Sequence, residues 1–223
     1  MAGLKCLICF EVIKEPLFLS NYFSVPPVLC EACRSLLQEL EGRRCTHCWR
    51  KLLADEADCT DCSFMHRHFT PLDTIHVLYD YNDFMKELIH CYKGRGDVRL
   101  AAVFAELLRA QHKTIASYDC IIPLPTSEDK LNSRGFSQIE AILEESRYSF
   151  CQPLKMAGRT KQSMLTKRER LQQENPFTVI APVEGRVLIV DDIYTTGLTV
   201  HRAAEVLRHE NVSAIGVLAF ARP

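Results

Sequence analysis

Eight cysteines between residues 6 and 62 fall as four Cys-x-x-Cys pairs: Cys6/Cys9, Cys30/Cys33, Cys45/Cys48 and Cys59/Cys62. No other feature restricts the fold of this chain as sharply. A Cys-x-x-Cys turn lets two thiolates reach one ion, and two such turns complete a tetrahedral four-thiolate site, the closed geometry of structural zinc. Redox-active dithiols or unconnected buried thiols are the competing readings. Four pairs at this density, in a chain with no export signal, favour metal. Pairing in sequence order encloses loops of 20 residues (10–29) and 10 residues (49–58). An interleaved arrangement, with the first and third pairs on one ion, stays open, although short loop closure is the easier.

Four thiolates leave no position for water or substrate, so these zinc ions, two by the cysteine count, are expected to be structural. They would stabilise a segment whose own core is too small. His47, His66 and His68 lie among the pairs or just past them. Because the thiols already suffice, these histidines read as solvated or packed behind the ligands. The remaining cysteines, Cys91, Cys120 and Cys151, are isolated.

The 223 residues fit one or two domains, and 47% apolar residues are enough for a sizeable core. No apolar run approaches the roughly 18–20 residues that cross a bilayer, and no basic-then-apolar segment opens the chain. The expectation is a soluble cytoplasmic protein without a transmembrane segment. A formal net charge of -1 argues against nucleic-acid binding by overall charge, though a local basic patch remains compatible. Two four-thiolate zinc sites would add about four further negative charges.

Residues 1–70 are rich in turn and cysteine signals, and from about Leu72 strand-like and helix-like stretches alternate. Phe84, Met85, Leu88, Ile89 and Tyr92 fall at helical spacing, as do Leu100, Phe104, Leu107 and Leu108. Tyr118–Leu124 reads as a buried strand, 137–148 as a helix, and the polar, basic 155–175 as a mobile loop. Arg186–Val190 reads as a strand, Thr199–His209 as a helix stopped near Asn211, and Ser213–Phe220 as a closing strand. Alternation of this kind predicts an α/β fold with a parallel sheet over 71–223, following a small N-terminal zinc-binding unit over 1–70.

The chemistry of the second unit is concentrated in 187–199. Val187-Leu188-Ile189-Val190 runs into Asp191-Asp192, then into Thr195-Thr196-Gly197-Leu198-Thr199, then into an amphipathic helix. Backbone N–H groups and hydroxyls at a helix N-terminus suit a phosphate, and paired carboxylates accept hydrogen bonds from vicinal ribose hydroxyls. A lone Asp-Asp would usually be a strand end capping a helix; the threonine- and glycine-rich turn changes that balance.

This stretch resembles the phosphoribosyl-pyrophosphate (PRPP) loop of type I phosphoribosyltransferases. The resemblance implies that Asp191 and Asp192 hold the ribose hydroxyls, directly or near Mg²⁺. It also implies that Thr195, Thr196, Gly197, Leu198 and Thr199 wrap the 5′-phosphate. Other blocks narrow it: Ile122-Pro123-Leu124-Pro125, then Lys130 and Arg134-Gly135-Phe136-Ser137-Gln138; upstream Tyr92-Lys93-Gly94-Arg95-Gly96-Asp97; downstream Gln162, Leu165, Arg170 and Pro176-Phe177. With the cysteine pairs, this order is similar to the ComF family, ComFC type, across essentially the whole chain. The sequence departs from the usual family pattern at Thr126, Ser137 and Gln173.

Lys130 and Arg134 follow a strand C-terminus, the ligand edge of an open α/β sheet, and would face pyrophosphate. Lys155, Arg159, Lys161, Lys167, Arg168 and Arg170 stand against one acid, Glu169. By resemblance this region, with Gln162, is the flexible loop over the site. As a charge run it is either a solvated segment or a phosphate or nucleic-acid contact.

The ComF resemblance implies a competence role in natural transformation, handling incoming single-stranded DNA at the inner membrane face beside a ComFA-type helicase/ATPase. Single-strand binding would need a cationic groove and stackable aromatics, for which Tyr92, Phe136 and Tyr194 are the candidates, although each also suits a core. The alternative is an active phosphoribosyltransferase. Transfer from PRPP needs positioning and electrostatics rather than a covalent nucleophile, but no segment reads as an acceptor pocket. A transcription-related zinc-ribbon protein is a third reading, opposed by the intact transferase-like half.

Overall fold

The computed structural model describes residues 4–14, 25–157 and 171–223. The elements in chain order are short helices α1 (Glu31–Arg34) and α2 (Thr60–His66), strand β1 (Thr74–Asp80), and helices α3 (Asp83–Gly94), α4 (Ala101–Arg109) and α5 (His112–Ile115). Strand β2 (Cys120–Pro123) and helices α6 (Glu128–Arg134) and α7 (Gln138–Ser146) follow. The chain continues with strands β3 (Leu154–Met156), β4 (Phe177–Val179) and β5 (Glu184–Ile193), helix α8 (Leu198–Leu207) and strand β6 (Asn211–Arg222).

Four strands form a parallel sheet in the order β1-β6-β5-β2. Its two central strands read as unbroken apolar runs because both faces are covered. Val187–Val190 on β5 and Val217–Ala221 on β6 are fully buried, with Val190 opposite Leu218. Pro123, which cannot donate to a ladder, ends edge strand β2. On one face α3, α4 and α7 bury Leu88, Phe104, Leu107 and Leu143 against Leu188 and Phe220. On the other, α8 buries Val200, Ala203 and Leu207 against Ile189 and Val217. Each fully buried side chain of the larger apolar types contributes about 1.5–3 kcal/mol.

Helix α3 shows how local sequence sets an element. The Asn82 side chain accepts the Met85 N–H (2.9 Å) and caps the first turn. Met85, Leu88, Ile89 and Tyr92 then recur on one buried stripe.

Three sequence expectations need correction, and one link in the structure is not anticipated by the sequence. The stretch 155–175 is not loop throughout: Leu154–Met156 pairs antiparallel with Phe177–Val179, because Leu154, Met156 and Phe177 turn inward to the α8-side core. Asn211 does not stop a helix; α8 ends at Leu207 and Asn211 opens β6. The β5 strand runs through Asp191 and Asp192 to Ile193, because β6 continues to pair with it. Cys120 and Cys151, isolated in sequence, form a disulfide that ties β2 to the segment entering β3. No helix among the described residues is long and apolar enough to cross a membrane.

Candidate metal centres and ligand cleft

The cysteines group in sequence order. Cys6, Cys9, Cys30 and Cys33 form one cluster, and Cys45, Cys48, Cys59 and Cys62 the other, with the sulfurs of each within 4.8 Å of one another. Both clusters are built alike. The first pair of each lies on a bridged turn, Lys5 opposite Val12 and Arg44 opposite Lys51. That turn closes through Phe10 N–H to Cys6 O (3.0 Å) and Trp49 N–H to Cys45 O (2.9 Å). Phe10 and Trp49 both take positive φ, 62° and 63°. The second pair of each opens a helix, with Cys30 the N-cap of α1 and Cys59 that of α2.

Zn–S bonds of about 2.3 Å in a tetrahedron require sulfurs about 3.8 Å apart. Cys9–Cys30, Cys45–Cys62 and Cys48–Cys59 each stand at 3.6 Å. All-thiolate donors at this spacing fit structural zinc. The two clusters sit on opposite faces of the sheet: Cys6 and Cys33 join the α3/α4/α7 core, and Cys45, Cys48 and Cys59 the α8 core. The histidines are not ligands in either group. His47 packs edge-to-face on His66 beside the second cluster (5.2 Å), and His68 lies on the Phe64 ring (5.0 Å).

At the C-terminal ends of β2 and β5 lies a cleft of about 200 Å³, where an open parallel sheet offers its ligand crevice. It gathers Lys93, Lys130, Arg134, Asp191, Asp192 and Thr199. Strand β5 carries the two carboxylates to its end, and α6 carries Lys130 and Arg134. Gly135 ends α6 in the left-handed conformation, and the Arg134 guanidinium donates to Gln138 Oε1 (2.8 Å) at the start of α7. Burial first, and the Asp192 charge second, push the Asp191 carboxyl up to about 7, against the pull of Lys93, the Asp192 N–H and Lys130.

The loop itself is divided. Thr199 lines the cleft, Thr195 is exposed, and Gly197 and Leu198 are buried at the N-terminus of α8. Thr196 Oγ1 accepts the Leu198 N–H (3.4 Å) and also lines a small cavity on the side of the second cysteine cluster. Gly197 has φ +79°, and a Cβ there would collide with the Tyr194 hydroxyl. Arg159, Gln162 and Arg170, with the rest of 158–170, lie outside the described residues.

Lys93, quoted in sequence only as part of a block, forms an ion pair with Asp192. Its only local signal is its place in the last turn of α3. Two aromatics offered for base stacking are not available for it: Tyr92 and Tyr194 are each 2% exposed. Tyr92 donates to the Gln138 carbonyl (2.7 Å) and packs against Phe104 and Phe136, which is partly buried itself.

No family model matches the chain. It is 30% identical over 220 residues to competence protein ComFC of Bacillus subtilis, spanning 95% of this chain and 91% of that one. It is 28% identical over 224 residues to competence protein ComFC of Streptococcus pneumoniae, spanning 98% of this chain and all of the relative. A 28% identity over 221 residues links it to DNA utilization protein YhgH of Escherichia coli, across 88% of this chain and 97% of that one. Identity of this level along nearly the full length, on a chain with paired four-cysteine clusters and a parallel sheet, means that the protein belongs to the ComFC family of competence proteins.

Proposed function

We propose that this protein acts in DNA uptake during natural transformation, handling incoming single-stranded DNA, and that its cleft binds PRPP or a related phosphoribosyl ligand. The observation that carries the ligand reading is the convergence of Asp191, Asp192, Thr199, Lys130 and Arg134 on one cleft at the strand ends. In this reading the carboxylates accept from the ribose hydroxyls and the 195–199 turn at the start of α8 takes the 5′-phosphate. Lys130 and Arg134 meet the pyrophosphate, with Arg159, Gln162 and Arg170 closing over it and Mg²⁺ accompanying the ligand. Lys93, now paired with Asp192, would exchange that partner for ligand phosphate or share it.

The DNA role draws on the names of the relatives, competence protein and DNA utilization protein. A ComFA-type ATPase is the proposed partner, at the inner face of the membrane, and residues 1–70 and 71–223 are the proposed units. With the tyrosines buried, strand binding is assigned to charge, carried by Lys155 and the basic residues of 158–170.

Thermal unfolding with PRPP and Mg²⁺ tests the ligand reading: a saturable rise in Tm in the wild type, lost in Asp191→Ala/Asp192→Ala, is expected. No shift in the wild type, or the same shift in the variant, contradicts it. Pyrophosphate release in the same samples, with and without single-stranded DNA, reads whether the ligand is turned over.

A further inference from the structure

The second four-cysteine cluster lies behind the 194–199 turn and is joined to it by one buried cation. Arg222, at the end of β6, is 1% exposed. A guanidinium so buried depends on the partners its donors find, and with Nε buried and unpartnered among the described residues the two Nη groups carry that burden. Its Nη2 donates to Asp61 Oδ2 (3.0 Å) and its Nη1 to the Tyr194 carbonyl (3.1 Å), and its carbon stands 4.8 Å from the centre of the Tyr194 ring.

Each end of this link is tied further. Asp61 lies between the ligand cysteines Cys59 and Cys62. Arg50 donates to Cys59 Sγ (3.5 Å) and approaches Asp61 Oδ2 (3.7 Å). The Tyr194 N–H donates to the Ala221 carbonyl (3.0 Å), so Tyr194 is held through both its N–H and its carbonyl by the end of β6. The Tyr194 hydroxyl fills the space beside Gly197, where α8 begins. A continuous path therefore runs from Cys59 and Cys62 through Asp61, Arg222 and Tyr194 to Gly197.

We propose that Asp61 and Arg222 couple the second metal site to the ligand turn. Zinc on Cys45, Cys48, Cys59 and Cys62 and a phosphoribosyl ligand on 195–199 then each strengthen the binding of the other. The inference rests on the reading of 191–199 as a phosphoribosyl site. The physical cause is positional. Metal bound to Cys59 and Cys62 fixes the turn that aims the Asp61 carboxylate. With Asp61 displaced, Arg222 is left as a buried charge short of its anion and draws away from the Tyr194 carbonyl. The turn that should present N–H groups to phosphate then loses its support. Coupling of this kind is reciprocal by linkage, and typical values change affinity by about 5–150-fold.

The test uses the full zinc-loaded chain and two readouts. PRPP affinity with Mg²⁺ is measured for wild type, Asp61→Asn and Arg222→Lys, after zinc analysis of each. Zinc transfer to a zinc-selective chromogenic chelator is then followed with and without saturating PRPP and Mg²⁺. Expected is about tenfold weaker PRPP binding in Asp61→Asn with both zinc ions still loaded. Also expected is slower release of one of the two zinc ions in the wild type when PRPP is present, with that protection lost in Asp61→Asn. A purely structural ion pair would lower Tm without making zinc release depend on PRPP.

Wild type that binds PRPP but releases both zinc ions at unchanged rates overturns the coupling and leaves the ligand reading intact, as does Asp61→Asn binding PRPP like wild type. Wild type that binds no PRPP overturns both. The zinc-release comparison needs wild type alone, so a variant that fails to fold does not remove the test.

Discussion

Gly197 and Asp191 are the two residues whose surroundings have the sharpest consequences. Gly197 adopts φ +79° with the Tyr194 hydroxyl where a Cβ would stand, so Gly197→Ala meets both a conformational penalty and a collision. The expected loss is about 1–3 kcal/mol, read as a lower urea midpoint with unchanged slope. Asp191 titrates near 7 when folded because burial, and then Asp192, disfavour its charge. Unfolded, its pKa returns to about 3.9, so the folded state holds the extra proton between these values. The stability contribution of Asp191 therefore falls as pH rises from about 4 to 7, and Asp191→Asn should gain on the wild type over that range. The ionised carboxylate is the form that accepts from ribose hydroxyls. The ratio of wild-type to Asp191→Asn affinity for PRPP should accordingly fall, approaching about tenfold per pH unit below 7, and a ratio independent of pH contradicts the assignment. Asp191, Asp192 and Thr199 are legible in sequence because strand, acids and turn adjoin. Lys93 was not legible as the partner of Asp192, because it arrives from a helix 99 positions upstream and local spacing says nothing of that meeting.

Elements differ in how plainly their residues announce them. Helices α3 and α4 repeat apolar residues over several turns, so periodicity identifies them. The arms β3 and β4 have three residues each, and a single inward-outward-inward alternation beside a basic region carries almost no signal. What places them is tertiary burial of Met156 and Phe177. The return after 158–170 is likewise held from a distance: Arg202 on α8, 4% exposed, donates to the carbonyls of Leu171, Gln173 and Glu174. For the cysteine elements the spacing leaves pairing open, and the matching turn-plus-helix construction of the two clusters resolves it as sequential. Metal analysis of reduced, zinc-replete protein should find two zinc ions per chain, and Cys30→Ser and Cys59→Ser should each lower that count. In the sheet, Leu188→Ala should cost about 2–5 kcal/mol by denaturant unfolding, since its side chain is fully buried between β6 and the α3-side helices.

Across the whole molecule, the two cysteine clusters brace opposite faces of one parallel sheet, and the cleft opens at the sheet's C-terminal edge. The fold class was readable because alternating strand and helix patterns leave few architectures; the bracing was not, because it depends on contacts such as Asp61–Arg222 across 161 positions. With a formal charge of -1, made more negative by any zinc held on four thiolates, the proposed strand binding would have to be local and electrostatic. Replacing Arg159, Lys161, Arg168 and Arg170 together should flatten the salt dependence of single-stranded DNA binding by about 0.7 in log–log slope for each phosphate no longer neutralised. An unchanged slope removes that segment from the interface. The central claim, that the cleft at the ends of β2 and β5 is a phosphoribosyl site, is tested most directly by calorimetric titration of the zinc-loaded protein with PRPP and Mg²⁺. One saturable site per chain is predicted for the wild type, abolished in Asp191→Ala/Asp192→Ala with zinc content unchanged. Absence of binding to the wild type, or equal binding to the variant, contradicts it.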